Sequence, residues 1–427
     1  MAFNNKIYNN AFWMISEKII SIFGLFFVTS FVAKYVGPSI FGQISLAMAI
    51  FQIVQVIAQM GGDNIIFKRV SRKELSGVLL LRASTWLRAG SYLIISALVV
   101  IYFHYFVGGL SVVYIYAVAI ACFFATIDVA LIYNNAMLMS KLNTMANLAG
   151  LIIGLAARYV IAYFKLDPAY LSIPIVLTTL LPFAIRVYLF RYKVLTQERF
   201  AAIKQIGFRK VKTYSYYMLL SGTGIVLSTI SVALYTRINQ FSLTFLSGTA
   251  AVGIFSVAAT LATSWVFVSQ ALITSFYTRI YSEKDDAMAL RLAAKLNRLV
   301  VVISLLFIAG VILFGKFVLL YLYGEEYVSG YIPMVILCSG GMLSSLGTVS
   351  YRFIVRHSGY YFLSKKMFIL LLISIPLSYV FIYFGGLTGA ALSTVLIELI
   401  SLTVLNYFFN NGLILKLHKL SFLQYRW

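Results

Sequence analysis

Long apolar runs recur along the chain at 11–24, 43–60, 86–107, 112–138, 144–164, 170–190, 216–240, 249–277, 299–321, 331–355, 367–384 and 387–409, separated by short polar or basic stretches. Each is near the roughly 20 residues that cross a bilayer as a helix. They are too long for the roughly 10-residue strands of an outer-membrane barrel and lack that architecture's alternation. Backbone hydrogen bonds in lipid must close within each segment, so the pattern predicts an all-α polytopic membrane protein with about twelve transmembrane helices. The first run contains Glu17 and Lys18 and is followed by no small-residue cleavage pattern, which marks a retained helix rather than a signal peptide.

Composition agrees with the pattern. Of the 427 residues 62% are hydrophobic and 11% charged, against roughly 25% charged in soluble domains. The net charge of +22 does not point to nucleic acid, because the basic residues fall in alternate connections, as the positive-inside bias requires. With the N-terminus inside, cytoplasmic segments hold Lys68, Arg69, Arg72, Lys73 and Arg82, a basic connection at 191–215, Arg279 through Arg298, and Lys365, Lys366, Lys416 and Lys419. Lys34 and Lys165 are the outer-loop exceptions. Both termini are therefore expected to be cytoplasmic. Outer loops are short, the longest being the acidic stretch at 321–331, which leaves no room for an extracytoplasmic domain.

The basic connection near the midpoint predicts two six-helix lobes, 1–200 and 201–427. An internal repeat supports the division: at a constant offset Gly37 meets Gly248, Gly42 meets Gly253, Ser45 meets Ser256 and Ala47 meets Ala258. Both copies occupy the outer turn that opens a half. Two readings of these glycines stand side by side, sharp turns with close packing or flexible points of a moving gate.

Ionisable residues within spans are costly and mark functional candidates. Arg88, Lys316 and Arg352 lie near predicted helix ends, where their heads are expected to snorkel to the interface. Lys18, Arg158, Arg186 and Arg237 lie deeper, against the acids Glu17, Asp128 and Glu398. The cation excess suits a cavity for an anionic substrate, and arginine matches phosphate through its planar donors; structural pairing with the acids is the alternative. Gln52, Gln55 and Gln59 share one helical face and are expected to face protein or a wet cavity, as helix-packing amides or as sugar-binding groups. Asp128 and Asn135 share a face of the fourth span with the same ambiguity.

Cys122 and Cys338 fall in spans as free thiols. The sequence holds no phosphate-binding loop, dinucleotide fingerprint or metal-spaced His or Cys cluster. No cofactor, metal or catalytic residue is predicted, and transport energy is left to an ion, potential or substrate gradient.

Five stretches carry a resemblance to a known family: 10–18 (NAFWMISEK), 35–42 (YVGPSIFG), 61–68 (GGDNIIFK), 248–259 (GTAAVGIFSVAA) and 386–398 (GLTGAALSTVLIE). The chain resembles the Wzx polysaccharide flippases, of the superfamily that includes the lipid II flippase MurJ and the MATE exporters. The resemblance implies two lobes around a central cavity that alternates between membrane faces. It implies as cargo an O-antigen or related repeat unit on undecaprenyl pyrophosphate, moved from the inner to the outer leaflet of the bacterial inner membrane. Expected partners are this lipid-linked substrate, membrane lipids, and the polymerase and chain-length regulator of the pathway, with no nucleic acid. Lys18 occupies a region where MurJ-like proteins place cavity cations, while the eighth span has Gln270 and no arginine, which argues against lipid II itself. A MATE-like exporter would favour an acidic cavity, and an integral-membrane polymerase or ligase a large outer loop with catalytic basic residues.

Overall fold

The computed structural model describes residues 2–194, 196 and 208–422. Within them, the side chains of 2–12, 14–19, 22, 23, 25, 110, 193, 208–212 and 219–225 lie outside the description, and so do the side-chain roles expected of Glu17 and Lys18. The described chain is all-helical. Nine of its helices are long and apolar enough to cross a membrane, which makes this a multi-pass membrane protein. It divides into two compact units, Met1–Ile230 and Ser231–Trp427.

The first unit contains α1 (Ala2–Gln59), α2 (Gly62–Arg72), α3 (Glu74–Phe106), α4 (Gly109–Ile127), α5 (Val129–Ala136), α6 (Ser140–Tyr163) and α7 (Ser172–Lys193), and it takes in the start of α8 (Phe208–Thr263). A helix of α1's 58 residues would run about 87 Å, far beyond the roughly 30 Å of hydrocarbon in a bilayer. It is in fact two rods joined at Gly37, whose φ of 74° and ψ of 171° leave the helical region altogether. Both rods contribute to one core, with Val32 and Val36 before the break and Ala47, Phe51 and Val54 after it, packed with Tyr114, Ile161 and Ile175. The α6–α7 contact uses a small-residue ridge. A Cβ on Gly150 would lie 2.5 Å from the Pro182 ring, and one on Gly154 2.3 Å from the Thr178 methyl. Close approach of this kind is how helices associate where lipid gives no hydrophobic drive.

The second unit continues α8 and adds α9 (Val266–Ser282), α10 (Asp286–Val318), α11 (Tyr331–Arg356), α12 (Tyr360–Leu402), α13 (Val404–Tyr407) and α14 (Leu413–Phe422). The α8 helix breaks at Gly248, with φ 82° and ψ 177°, and α12 breaks at Gly386. Gly37 and Gly248, paired by the sequence repeat, thus share one extended, positive-φ conformation that is essentially confined to glycine. Gly42 and Gly253 are buried within the helices that follow. The core of the unit joins α9, α10, α11 and α14 through Tyr277, Leu296, Phe353 and Leu417. At the start of α10 two exposed acidic residues have local structural roles. Asp285 caps α10 by accepting from the Ala287 N–H at 2.9 Å, and Asp286 pairs with Arg356.

Candidate functional site

Helices of the first unit line a half-open cavity of about 430 Å³ into which many polar side chains reach. Gln55 and Gln59 from the end of α1, Asp63 from α2, Arg88 from α3, Asn147 from α6 and Thr178, Thr179 and Arg186 from α7 all line it. So do Asp128 and Leu131, because the helix expected to run through 112–138 is broken there. Asp128 ends α4 and caps α5, accepting a long hydrogen bond of 3.4 Å from the Leu131 N–H. The cap is a natural role for aspartate, and it corrects the expectation that Asp128 and Asn135 share one helical face. Asn135 turns to the α5–α6 corner, where its side-chain oxygen accepts from Asn143 at 2.8 Å and Ser140 at 3.2 Å.

Arg186 is locked. Its Nε donates to Asp128 Oδ2 at 2.7 Å, its Nη2 lies 2.5 Å from the same oxygen, and its Nη1 donates to Asn147 Oδ1 at 2.6 Å. Arginine and aspartate are both buried, so removing either one would strand a charge. Pro182, one turn before Arg186, has no N–H to offer the Thr178 carbonyl and lines the cavity with it.

Arg88 differs. Expected to snorkel, it is instead 1% exposed and lies beneath the start of α2. The glycine at position 62 leaves it room: a Cβ there would lie 2.5 Å from Met218 Cε and 2.9 Å from Arg88 Nη2. Its Nη2 is 2.7 Å from Asp63 Oδ1, an ion pair with a half-exposed partner. The angles do not make a hydrogen bond, and Nε and Nη2 have no hydrogen-bond partner among the described residues.

Other expected site residues are placed elsewhere. Gln52 is exposed and outside the cavity lining. Arg158, partly exposed on α6, makes no ion pair or hydrogen bond with a described residue. Arg237 belongs to the second unit, with Nη1 3.5 Å from Gln240 Oε1. In that unit Glu398 interacts electrostatically with Lys366. Lys366, expected on the cytoplasmic side, is buried near the start of α12 and donates to Asn406 Oδ1 at 2.9 Å. The interior of the second unit also holds a neutral hub that no motif in the sequence signals. Asn239 Nδ2 donates to the Ala390 carbonyl at 3.1 Å and Thr394 Oγ1 at 2.7 Å, and its Oδ1 accepts from Ser378 at 2.5 Å and Ser393 at 2.8 Å. Arg352 donates to Thr274 at 3.1 Å, and Lys316 is exposed near the end of α10. Cys122 and Cys338 are free thiols.

The sequence profile of a family described as polysaccharide biosynthesis protein matches residues 7–278. No curated protein matches the chain. Among solved structures, the lipid II flippase MurJ in an inward closed conformation is similar, at 13% identity and a TM-score of 0.67, over 97% of this chain and 90% of that one. A multidrug resistance MATE transporter of the MOP superfamily, facing inward, gives 13% identity and a TM-score of 0.64, over 93% and 96%. The Vibrio cholerae MATE transporter VcmN gives 12% identity and a TM-score of 0.61, over 97% and 98%. The fold is therefore that of the MATE and MurJ transporters.

Proposed function

We propose that this chain, which belongs to the polysaccharide biosynthesis protein family, is a flippase. Its cargo in this reading is an undecaprenyl-pyrophosphate-linked oligosaccharide, an O-antigen or related repeat unit, moved from the inner to the outer leaflet of the bacterial inner membrane. The observation that carries the proposal is the polar cavity of the first unit, where amides, hydroxyls and two arginine–aspartate pairs line a space inside a membrane-spanning bundle. About 430 Å³ is within the range of small-molecule sites. It suits a sugar or phosphate head group, while an acyl or polyprenyl tail stays in lipid.

Counting each glycine-broken helix as two crossings brings the nine candidates to twelve, with both termini cytoplasmic in the proposed topology. Six would form each lobe, 1–200 and 201–427. Lys18, Arg158 and Arg237 attract the pyrophosphate or acidic sugars, Gln55 and Gln59 contact hydroxyls, and Glu17, Asp128 or Glu398 serves an ion-coupled or gating step. Gly37 and Gly248 set the corners on which the lobes are built. Polymerase and chain-length regulator would receive the product.

Deleting the protein in its own host should leave the lipid-linked oligosaccharide in the inner leaflet and abolish surface polysaccharide. Normal delivery to the outer leaflet, in a strain with no second flippase, would refute the proposal. Arg158→Ala and Arg237→Ala should each abolish polysaccharide at unchanged protein level, with lysine replacements separating charge from guanidinium geometry. The likeness to multidrug transporters supports an exporter as the second reading. In that case deletion would sensitise cells to organic cations and leave polysaccharide intact.

A further inference from the structure

The two arginines of the first-unit cavity differ in one respect. Arg186 directs all its nitrogens to Asp128 and Asn147, whereas Arg88, equally buried, has Nε and Nη2 without a hydrogen-bond partner among the described residues. A guanidinium has five donors, and leaving a buried one unmatched is expensive. Its position compounds this. Arg88 lies against Gly62 at the start of α2, where helix N–H groups and the dipole present positive charge, and the cap residue Gly61 contributes no side chain to them. A cation beside the positive end of an 11-residue helix calls for an anion in the same space.

The anion present is Asp63, in the first turn of α2, and its seat is loose. Its side chain is about half exposed, its buried Oδ1 contacts Arg88 at 2.7 Å without hydrogen-bonding geometry, and it rides on a joint in which Met60 and Gly61 both have positive φ, 50° and 62°.

We propose that Arg88 and the start of α2 form an anion-binding subsite, and that Asp63 is its resting occupant, displaced when the anionic group of a ligand enters the cavity. The chemistry is that of a phosphate or a carboxylate. Its source is either the pyrophosphate of a lipid carrier or an acidic sugar, and the inference rests on the flippase reading for that choice of ligand. Displacement swings Asp63 out of the cavity, while α2 stays held by Ile66 and Val70 in the core.

The test uses the purified full-length protein in lipid nanodiscs, with inorganic pyrophosphate and glucuronate as probes, read by calorimetric titration and thermal unfolding. Asp63→Asn removes the competitor. It should lower the melting temperature without probe and bind the effective probe at least tenfold more tightly than wild type, with the melting temperature restored. Arg88→Gln should lose binding, and Arg88→Lys, the variant to use should Arg88→Gln not fold, should weaken it at least tenfold. Gain with pyrophosphate alone identifies the carrier phosphates as the source, and gain with glucuronate alone identifies an acidic sugar. Equal affinity in wild type, Asp63→Asn and Arg88→Lys, or no binding by any of them, overturns the proposal. The measurement involves no translocation. Anion binding with this mutational pattern in a protein that flips no lipid-linked glycan would defeat the function and leave the subsite standing, and flipping without it would do the reverse.

Discussion

Gly248→Ala separates backbone strain from crowding. A Cβ built on Gly248 meets nothing within 4 Å, so the substitution introduces no clash. What it must overcome is the conformation itself, φ 82° and ψ 177°, in a region where a residue with a side chain is held at a cost of order 1–3 kcal/mol. Gly347 is the matched control. It also has open space for a Cβ, but lies within the regular helix α11, where alanine is favoured over glycine by about 1 kcal/mol. Two alanine substitutions in the same unit, adding the same methyl to the same open space, should therefore move stability in opposite directions, and differ by about 2–4 kcal/mol. Equilibrium unfolding in mixed micelles would measure this. Equal effects, or a Gly248→Ala protein more stable than Gly347→Ala, would show that the break at Gly248 is a flexible link rather than a fixed conformation.

Three further outcomes follow from the packing and the charges. Asp128→Leu or Arg186→Met alone should cost about 3–5 kcal/mol by stranding the other charge, while the double replacement should recover most of it in a mutant cycle. Gly154→Val should cost about 1–3 kcal/mol or more by forcing α6 from the Thr178 methyl, detectable as a lower unfolding midpoint; no change would mean the α6–α7 ridge relaxes freely. His418, in α14, bonds Ser350 at 3.3 Å and Tyr407 at 3.1 Å, and burial holds its imidazole near 4, below its ordinary 6.5. The unfolded chain takes up a proton as pH falls through 6.5 and the folded chain does so only near 4. Stability is thus full above pH 6.5 and declines by about 3 kcal/mol between the two values, a slope that His418→Gln should remove.

Much of this was legible in the chain. Helical crossings follow from run length, because lipid leaves the backbone no other partner. The repeat anchored on Gly37 and Gly248 located two breaks with one conformation, since a glycine between apolar runs is where the chain can leave the helix. Side-chain partners were less accessible. Arg88 looked like an interfacial cation because its distance from the predicted helix end was known and the glycine above it was not understood as space. Lys366 sat in a basic cluster whose outward members resemble it in sequence, and burial chose among them through Asn406, which lies forty residues away. The small-residue pair Gly150 and Gly154, four apart in an apolar run, was a signal that could have been read. The Asn239 hub gave none, because its partners are single serines and a threonine more than 130 residues distant.

That hub limits what the third glycine break can do. Ser378 precedes Gly386 and Ser393 follows it, yet both donate to the one oxygen of Asn239, whose amide nitrogen holds Ala390 and Thr394 as well. Asn239 therefore ties the two arms of α12 to the same peg. With every donor and acceptor of the amide engaged, swinging one arm about Gly386 would tear bonds on the other. The bend in α12 is accordingly an elbow set in a splint.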